Sequence, residues 1–97
     1  LTGDLYTGRT QSSPDSAYKY LVANGYVDSQ QSAPLNGNQN RSHGTFHKIG
    51  TRETNRISED FVWCKGELQP LAFKVLVNKI SDDASDHYPV MADIKFN

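Results

Sequence analysis

The stretch Ser85-Asp86-His87-Tyr88-Pro89-Val90-Met91-Ala92-Asp93-Ile94-Lys95-Phe96 decides the fold class. From Tyr88 to Phe96, the apolar residues Val90, Ala92, Ile94 and Phe96 alternate with Met91, Asp93 and Lys95. That period of two belongs to a strand with one face packed inward. Leu71 to Ile80 repeats it, with Leu71, Phe73, Val75 and Val77 on one face and Lys74 and Asn78 on the other. Glu59 to Cys64 is a third, more apolar strand, Tyr26 to Asp28 is a short one, and another opens the chain ahead of Asp4. Half-buried strands of this kind predict a largely antiparallel sheet. One segment reads clearly as helix. Ser13 suits the N-cap, Pro14 the first helical position, and Asp15 complements the helix dipole. Ala17, Tyr18, Leu21 and Val22 then recur on one face, and Asn24-Gly25 ends the helix. The predicted class is α+β with one clear helix.

Composition narrows the function classes. At 97 residues the chain holds one domain at most, since domains typically run to about 100–150 residues. Lys plus Arg number 10 and Asp plus Glu 11, for a net charge of −1. A near-neutral chain has no overall electrostatic footprint for an anionic membrane, and nucleic acid is possible without being indicated by charge. The hydrophobic share is only 36%, but five Tyr, four Phe and one Trp argue for a loop-rich fold rather than disorder. Cys64 is alone, which excludes an internal disulfide framework. The interior apolar run Phe61-Val62-Trp63-Cys64 is far too short to span a bilayer. From Ser29 to about Asn55 the chain is polar and reads as a long loop, a feature that tends to be functional or disordered. Its far end carries Arg41, Lys48, Arg52 and Arg56 against the single Glu53, while acid collects at Asp82, Asp83 and Asp86. The chain runs straight from Leu1 into Gly3-Asp4, and the expectation is the C-terminal part of something larger.

Candidate chemistry sits at strand ends, where rigid scaffolds present reactive groups. Asp4 follows the opening strand, Asp60 begins its own, and Asp86-His87 precedes the closing one. Carboxylates hold a hard divalent cation through oxygen, and a histidine beside them makes or stabilises a nucleophile, so the set suits metal-assisted hydrolysis. Taken singly, each Asp is more often a turn or cap residue. Ser85-Asp86-His87 has the letters of a hydrolase triad, but neighbours in an extended chain point to opposite sides and cannot relay. His43 and His47 have a zinc-like spacing only on a helix, which Gly44-Thr45 disfavours. Asn40-Arg41-Ser42 matches a glycosylation acceptor, a pattern frequent by chance.

These residues also carry a family resemblance. Gly3-Asp4-Leu5-Tyr6 resembles the Gly-Asp-Phe-Asn motif of the endonuclease/exonuclease/phosphatase superfamily, the DNase-I-like fold. Ser16-Ala17-Tyr18, Leu21 and Gly25-Tyr26-Val27-Asp28 resemble the segment after that motif in bacterial metal-dependent hydrolases of the group. Gly44-Thr45-Phe46-His47 is similar to their Gly-Thr-Phe turn. Arg56-Ile57 with Asp60-Phe61-Val62-Trp63 resembles their Arg-Ile-Asp-Tyr-Ile-Phe strand, and Ser85-Asp86-His87-Tyr88-Pro89-Val90 matches the closing Ser-Asp-His-x-Pro-Val motif. The five matches fall in family order across nearly the whole chain.

The resemblance implies the C-terminal part of a four-layer α/β/β/α sandwich that hydrolyses phosphoesters with Mg²⁺ or Mn²⁺. His87 would be the active-site histidine beside the phosphate, Asp60 its carboxylate partner, Asp86 a metal-side carboxylate, and Asp4 the residue that orients the attacking water. Tyr6, Arg56 and His43 are the candidate contacts to a phosphorylated small molecule or phosphodiester. Two departures bear on activity. Tyr6 stands where the family has Asn, exchanging an amide for one hydroxyl, and Ser58-Glu59 intervene between Arg56-Ile57 and Asp60. The family's metal-binding Glu lies in an N-terminal half that this chain lacks. That half is therefore an expected partner, and the chain alone is expected to be inactive. The alternative is a catalytically degenerate member that binds a phosphate ligand or a protein.

Overall fold

Four apolar residues in a row, Phe61, Val62, Trp63 and Cys64, require cover on both faces of one strand, and that strand organises the molecule. The structure, a computed structural model, describes residues 1–5, 16–38, 43–52 and 58–96. Strand β4, Asp60–Cys64, lies between β1, Thr2–Asp4, and β2, Val27–Asp28, and is antiparallel to both. Phe61 and Trp63 face helix α1, Ala17–Ala23, whose Tyr18 ring lies 5.6 Å from the first and 5.2 Å from the second. Val62 points the other way, into a core with Ala33, Phe73, Val75 and Tyr88.

That core joins the first sheet to a second. Its strands are β3, Leu35–Asn36, β5, Leu68–Val75, and β6, Val90–Phe96, in the order β3-β5-β6. β5 and β6 are antiparallel, and β3 runs parallel to β5. Helix, sheet and sheet thus form three layers of an α+β fold with mostly antiparallel pairing. Among the described residues no helix is long and apolar enough to cross a membrane.

Several elements differ from the sequence-based expectation. Helix α1 is capped by Ser16, whose hydroxyl accepts from the Lys19 amide at 3.2 Å, three residues beyond the predicted Ser13. Ser13, Pro14 and Asp15 lie outside the described residues. The expected strand from Leu71 to Ile80 begins earlier and stops at Val75. Asn78 then opens helix α3, Lys79–Ala84, with a capping box in which its side chain accepts from the Ser81 amide and the Ser81 hydroxyl accepts from its own. Alternation carried the reading through that box, because Val77 and Asn78 fit both patterns. A register shift between Pro70 and Ala72 also takes Leu71 out of the expected face and leaves it exposed, while Phe73 and Val75 stay buried.

The polar segment after Asp28 is more ordered than its composition predicts. It holds helix α2, Ser29–Ser32, capped by the Asp28 carboxylate on the Gln30 amide, and then β3. Gln30 is fully buried. Its amide nitrogen donates to the His43 carbonyl at 3.1 Å, and its oxygen accepts from the Ser58 hydroxyl at 3.1 Å. A polar side chain whose partners are all supplied by protein can sit in an interior, and no hydropathy pattern announces it.

Candidate functional site

Strand register brings the first two acids together. Leu1 and Trp63 exchange both backbone hydrogen bonds, at 2.7 and 3.3 Å. Bonded and non-bonded pairs alternate along an antiparallel ladder, so Asp4 and Asp60, which are directly opposite, form a non-bonded pair, the kind with the closer side chains. A second ladder fragment delivers the histidine. Phe46 and His87 form an antiparallel bridge, flanked by Tyr88 N–H to Thr45 O at 2.7 Å and His47 N–H to Asp86 O at 2.8 Å. Because neighbours point to opposite sides, Tyr88 enters the core and His87 turns toward the acids.

His87 Nδ1 lies 2.7 Å from Asp60 Oδ2, a short charge-assisted hydrogen bond. On the other side of the ring, Nε2 lies 3.9 Å from Asp4 Oδ2 and 4.0 Å from Asp86 Oδ1. The edge-to-face ring of Phe46, at 5.5 Å and 76°, closes one side of the imidazole. The hydrogen bond that His87 Nδ1 donates to Asp60, reinforced by the charges of Asp60, Asp4 and Asp86, holds the imidazole pKa above its ordinary value despite partial burial. Glu59 also belongs to this acidic neighbourhood. Burial, then the repulsion of Asp4, Asp60 and Asp86, raises its carboxyl pKa against the pull of His87.

One ligand atom each from Asp4, Asp60 and His87 lies within 4.8 Å of the others, a spacing that allows a cation. The chemistry of the set divides it. Ligands at 2.0–2.1 Å from Mg²⁺ in an octahedron stand about 2.9 Å or more apart, whereas Asp60 and His87 are 2.7 Å apart and hold each other by a proton. Asp4 and Asp86 remain as the oxygen donors, both substantially exposed at their carboxylates. Mg²⁺ is commonly held by one or two carboxylates, its remaining positions filled by water and substrate phosphate, a minimum that either carboxylate meets singly, since Asp86 stands outside the closely spaced set of Asp4, Asp60 and His87. Open space adjoins the cluster on two sides. A cleft of about 330 Å³ runs along Thr2, Gly3, Asp4, Asp60, Val62 and Val90. A second, of about 480 Å³, is lined by Phe46, His47, Lys48, Ile49 and Asp86.

Asp4, Asp60 and His87 are therefore brought together, with Asp86 at the rim. His43 is not among them. It is buried, its Nδ1 2.9 Å from the Gly44 carbonyl and its ring edge-on to Tyr88, so it packs the interior rather than offering a substrate contact. His47 stacks flat on Tyr88 at 3.9 Å, with Nδ1 near the Lys48 and Thr51 carbonyls and Nε2 buried with no hydrogen-bond partner among the described residues. Arg52 of the basic loop meets Asp82 in two bonds of 3.2 and 3.0 Å, so one cation of that loop is paired with one acid of the acidic group. Tyr6, Arg41 and Arg56 lie outside the described residues. The sequence reading leaves open that Glu59 shares the role of Asp60, and it gives no role to Phe46. The ordered Gly-Thr-Phe match was the signal available for Phe46.

No family model matches the chain, and no curated protein matches it. A crystal structure of a functionally unknown conserved protein from Enterococcus faecalis V583 is similar in fold, with a TM-score of 0.74 over 100% of this chain and 22% sequence identity. This chain spans 36% of that protein's length. At that identity the likeness is one of fold.

Proposed function

We propose that this chain is the His- and Asp-bearing part of a metal-dependent phosphoester hydrolase of the DNase-I-like class. The observation that carries the reading is the Asp60–His87 hydrogen bond of 2.7 Å with a second carboxylate, Asp4, facing the other ring nitrogen. Asp60 fixes the ring and stabilises its protonated form, leaving Nε2–H to donate to a phosphoryl oxygen or a leaving group. Asp4, across from it, accepts a proton from water and orients that water toward phosphorus. Mg²⁺ or Mn²⁺ held on the Asp86 side of the cluster would add Lewis-acid stabilisation of the phosphoryl charge. The substrate is a phosphorylated small molecule or a phosphodiester. The ordered family motifs and the cleft beside Asp4 and Asp60 support this reading, and the likeness to a protein nearly three times as long supports a larger whole as the active form.

The test is hydrolysis of p-nitrophenyl phosphate and bis-p-nitrophenyl phosphate with Mg²⁺ or Mn²⁺, by this chain and by a longer protein containing it. The longer protein is expected to turn over substrate, to lose activity with EDTA, and to lose about 10²–10⁴-fold on His87→Ala. Turnover untouched by that substitution sinks the proposal. Phosphate binding without turnover would instead establish a catalytically degenerate binding module.

A further inference from the structure

We infer that Thr45 is a positioning residue that sets the Asp60–His87 pair. The inference rests on the reading of that pair as the acid–base element of the site. Thr45 is fully buried, and its two ends hold strand β4, which carries Asp60, and the bridged segment that carries His87. Its hydroxyl oxygen accepts from the Glu59 amide at 2.9 Å and from the Asp60 amide at 3.3 Å. Its carbonyl accepts from the Tyr88 amide at 2.7 Å.

The reason lies in the edge of the first sheet. In the alternation that opposes Asp4 to Asp60 without direct bonds, the Asp60 N–H points away from β1. On that side β2 pairs β4 only at Cys64 and Trp63, and then turns into α2. Among the described residues no strand therefore reaches the Asp60 N–H, and the Thr45 hydroxyl takes the place that a neighbouring carbonyl would fill. The same residue's carbonyl closes the bridge that aims His87. One side chain and one carbonyl, joined by a few bonds, fix the first residue of β4 relative to the residue before Tyr88. Misplacement by about 1 Å at such a pair costs orders of magnitude in rate, so the staple is a functional constraint as well as a structural one. Thr45 touches neither substrate nor reacting atoms. It acts through Asp60.

The experiment reads the Nδ1 proton of His87 by NMR, because a proton held between imidazole and carboxylate resonates far downfield and exchanges slowly. The wild-type protein is expected to show it and Asp60→Asn to lose it. Absence from wild type, or persistence in Asp60→Asn, overturns the pair itself and this inference with it. With the pair established, Thr45→Val is expected to keep the fold by near-ultraviolet circular dichroism while the proton exchanges at least about tenfold faster. Thr45→Ser, which restores the hydroxyl, is expected to return it to the wild-type rate. A folded Thr45→Val protein with the wild-type exchange rate overturns the role of Thr45 and leaves the pair standing. Should Thr45→Val not fold, the wild-type protein decides: the Asp60 amide and the Nδ1 proton are expected to exchange through one opening, with the same denaturant dependence. Different dependences overturn the inference.

Discussion

At the scale of single residues, protonation is the quantity that the site controls most directly. The Asp60 hydrogen bond raises the His87 pKa above the ordinary imidazole value of 6.5. Its stabilising contribution is therefore complete below 6.5 and is lost as pH rises through the higher folded value. An NMR titration is expected to place the His87 midpoint above 6.5, and Asp60→Asn to bring it down. Asp82 carries the opposite sign. The Tyr88 hydroxyl donates to it at 2.6 Å, and with Arg52 lowers the carboxyl pKa from the ordinary 3.8. That contribution is present above 3.8 and disappears as pH falls through the lower folded value. Tyr88→Phe is expected to lower the melting temperature at neutral pH, with the gap from wild type narrowing as pH drops below 3.8. A constant gap would mean that the phenol acts by packing alone. The meeting of Asp4, Asp60 and His87 was legible in the ordered motifs of the resemblance rather than in their spacing, since strand ends alone do not say which of them share a rim. His43 was not, because its ring packs in the interior while its carbonyl takes the Gln30 side chain across loops that no periodicity connects.

At the scale of elements, the strands were readable because one face of each is apolar, and their ends were not, because caps override alternation. The capping box at Asn78 ends one pattern and begins another within a residue of Val77. Asn78→Ala is expected to cost about 1 kcal/mol of unfolding free energy, measured by urea titration. Position matters for the site, because α3 presents Asp82 to Arg52 and Tyr88, the residue next to His87. Loosening α3 should thus broaden the His87 signals without abolishing the Nδ1 proton. The short α2 and β3 escaped the sequence reading for a different reason. They are held by Asp28, Gln30, Asn36 and Asn38, polar side chains that accept or donate to specific backbone groups, and the same polar composition is typical of a loop.

At the scale of the whole molecule, the second sheet is covered along only part of its apolar face. Val75, Phe73, Val90 and Ala92 pack in or against the core, but along the same face of the β5–β6 ladder the pair Leu68 and Phe96 and the residue Ile94 lie exposed, Phe96 at 73%. The extents of 38 × 31 × 19 Å fit a slab, since two sheets pack about 10 Å apart. Exposed apolar stripes of this kind mark association surfaces in proteins generally. The proposed larger domain would bury this one, in keeping with the 36% span of the structural neighbour. Until it is buried, the stripe should govern the behaviour of the isolated chain. Analytical ultracentrifugation is expected to show concentration-dependent association that Ile94→Thr with Phe96→Ser removes. Because both side chains are already exposed, the pair of substitutions should change the melting temperature of the monomer little, within about 0.5 kcal/mol of unfolding free energy per site. In the longer protein the same pair should destabilise by roughly 2 kcal/mol or more, as polar replacement of buried apolar side chains does. Equal effects in both settings would mean that nothing covers this end of the sheet. The larger-domain part of the functional proposal would then lose its physical motive, while the Asp60–His87 pair would be left to be judged on its own chemistry.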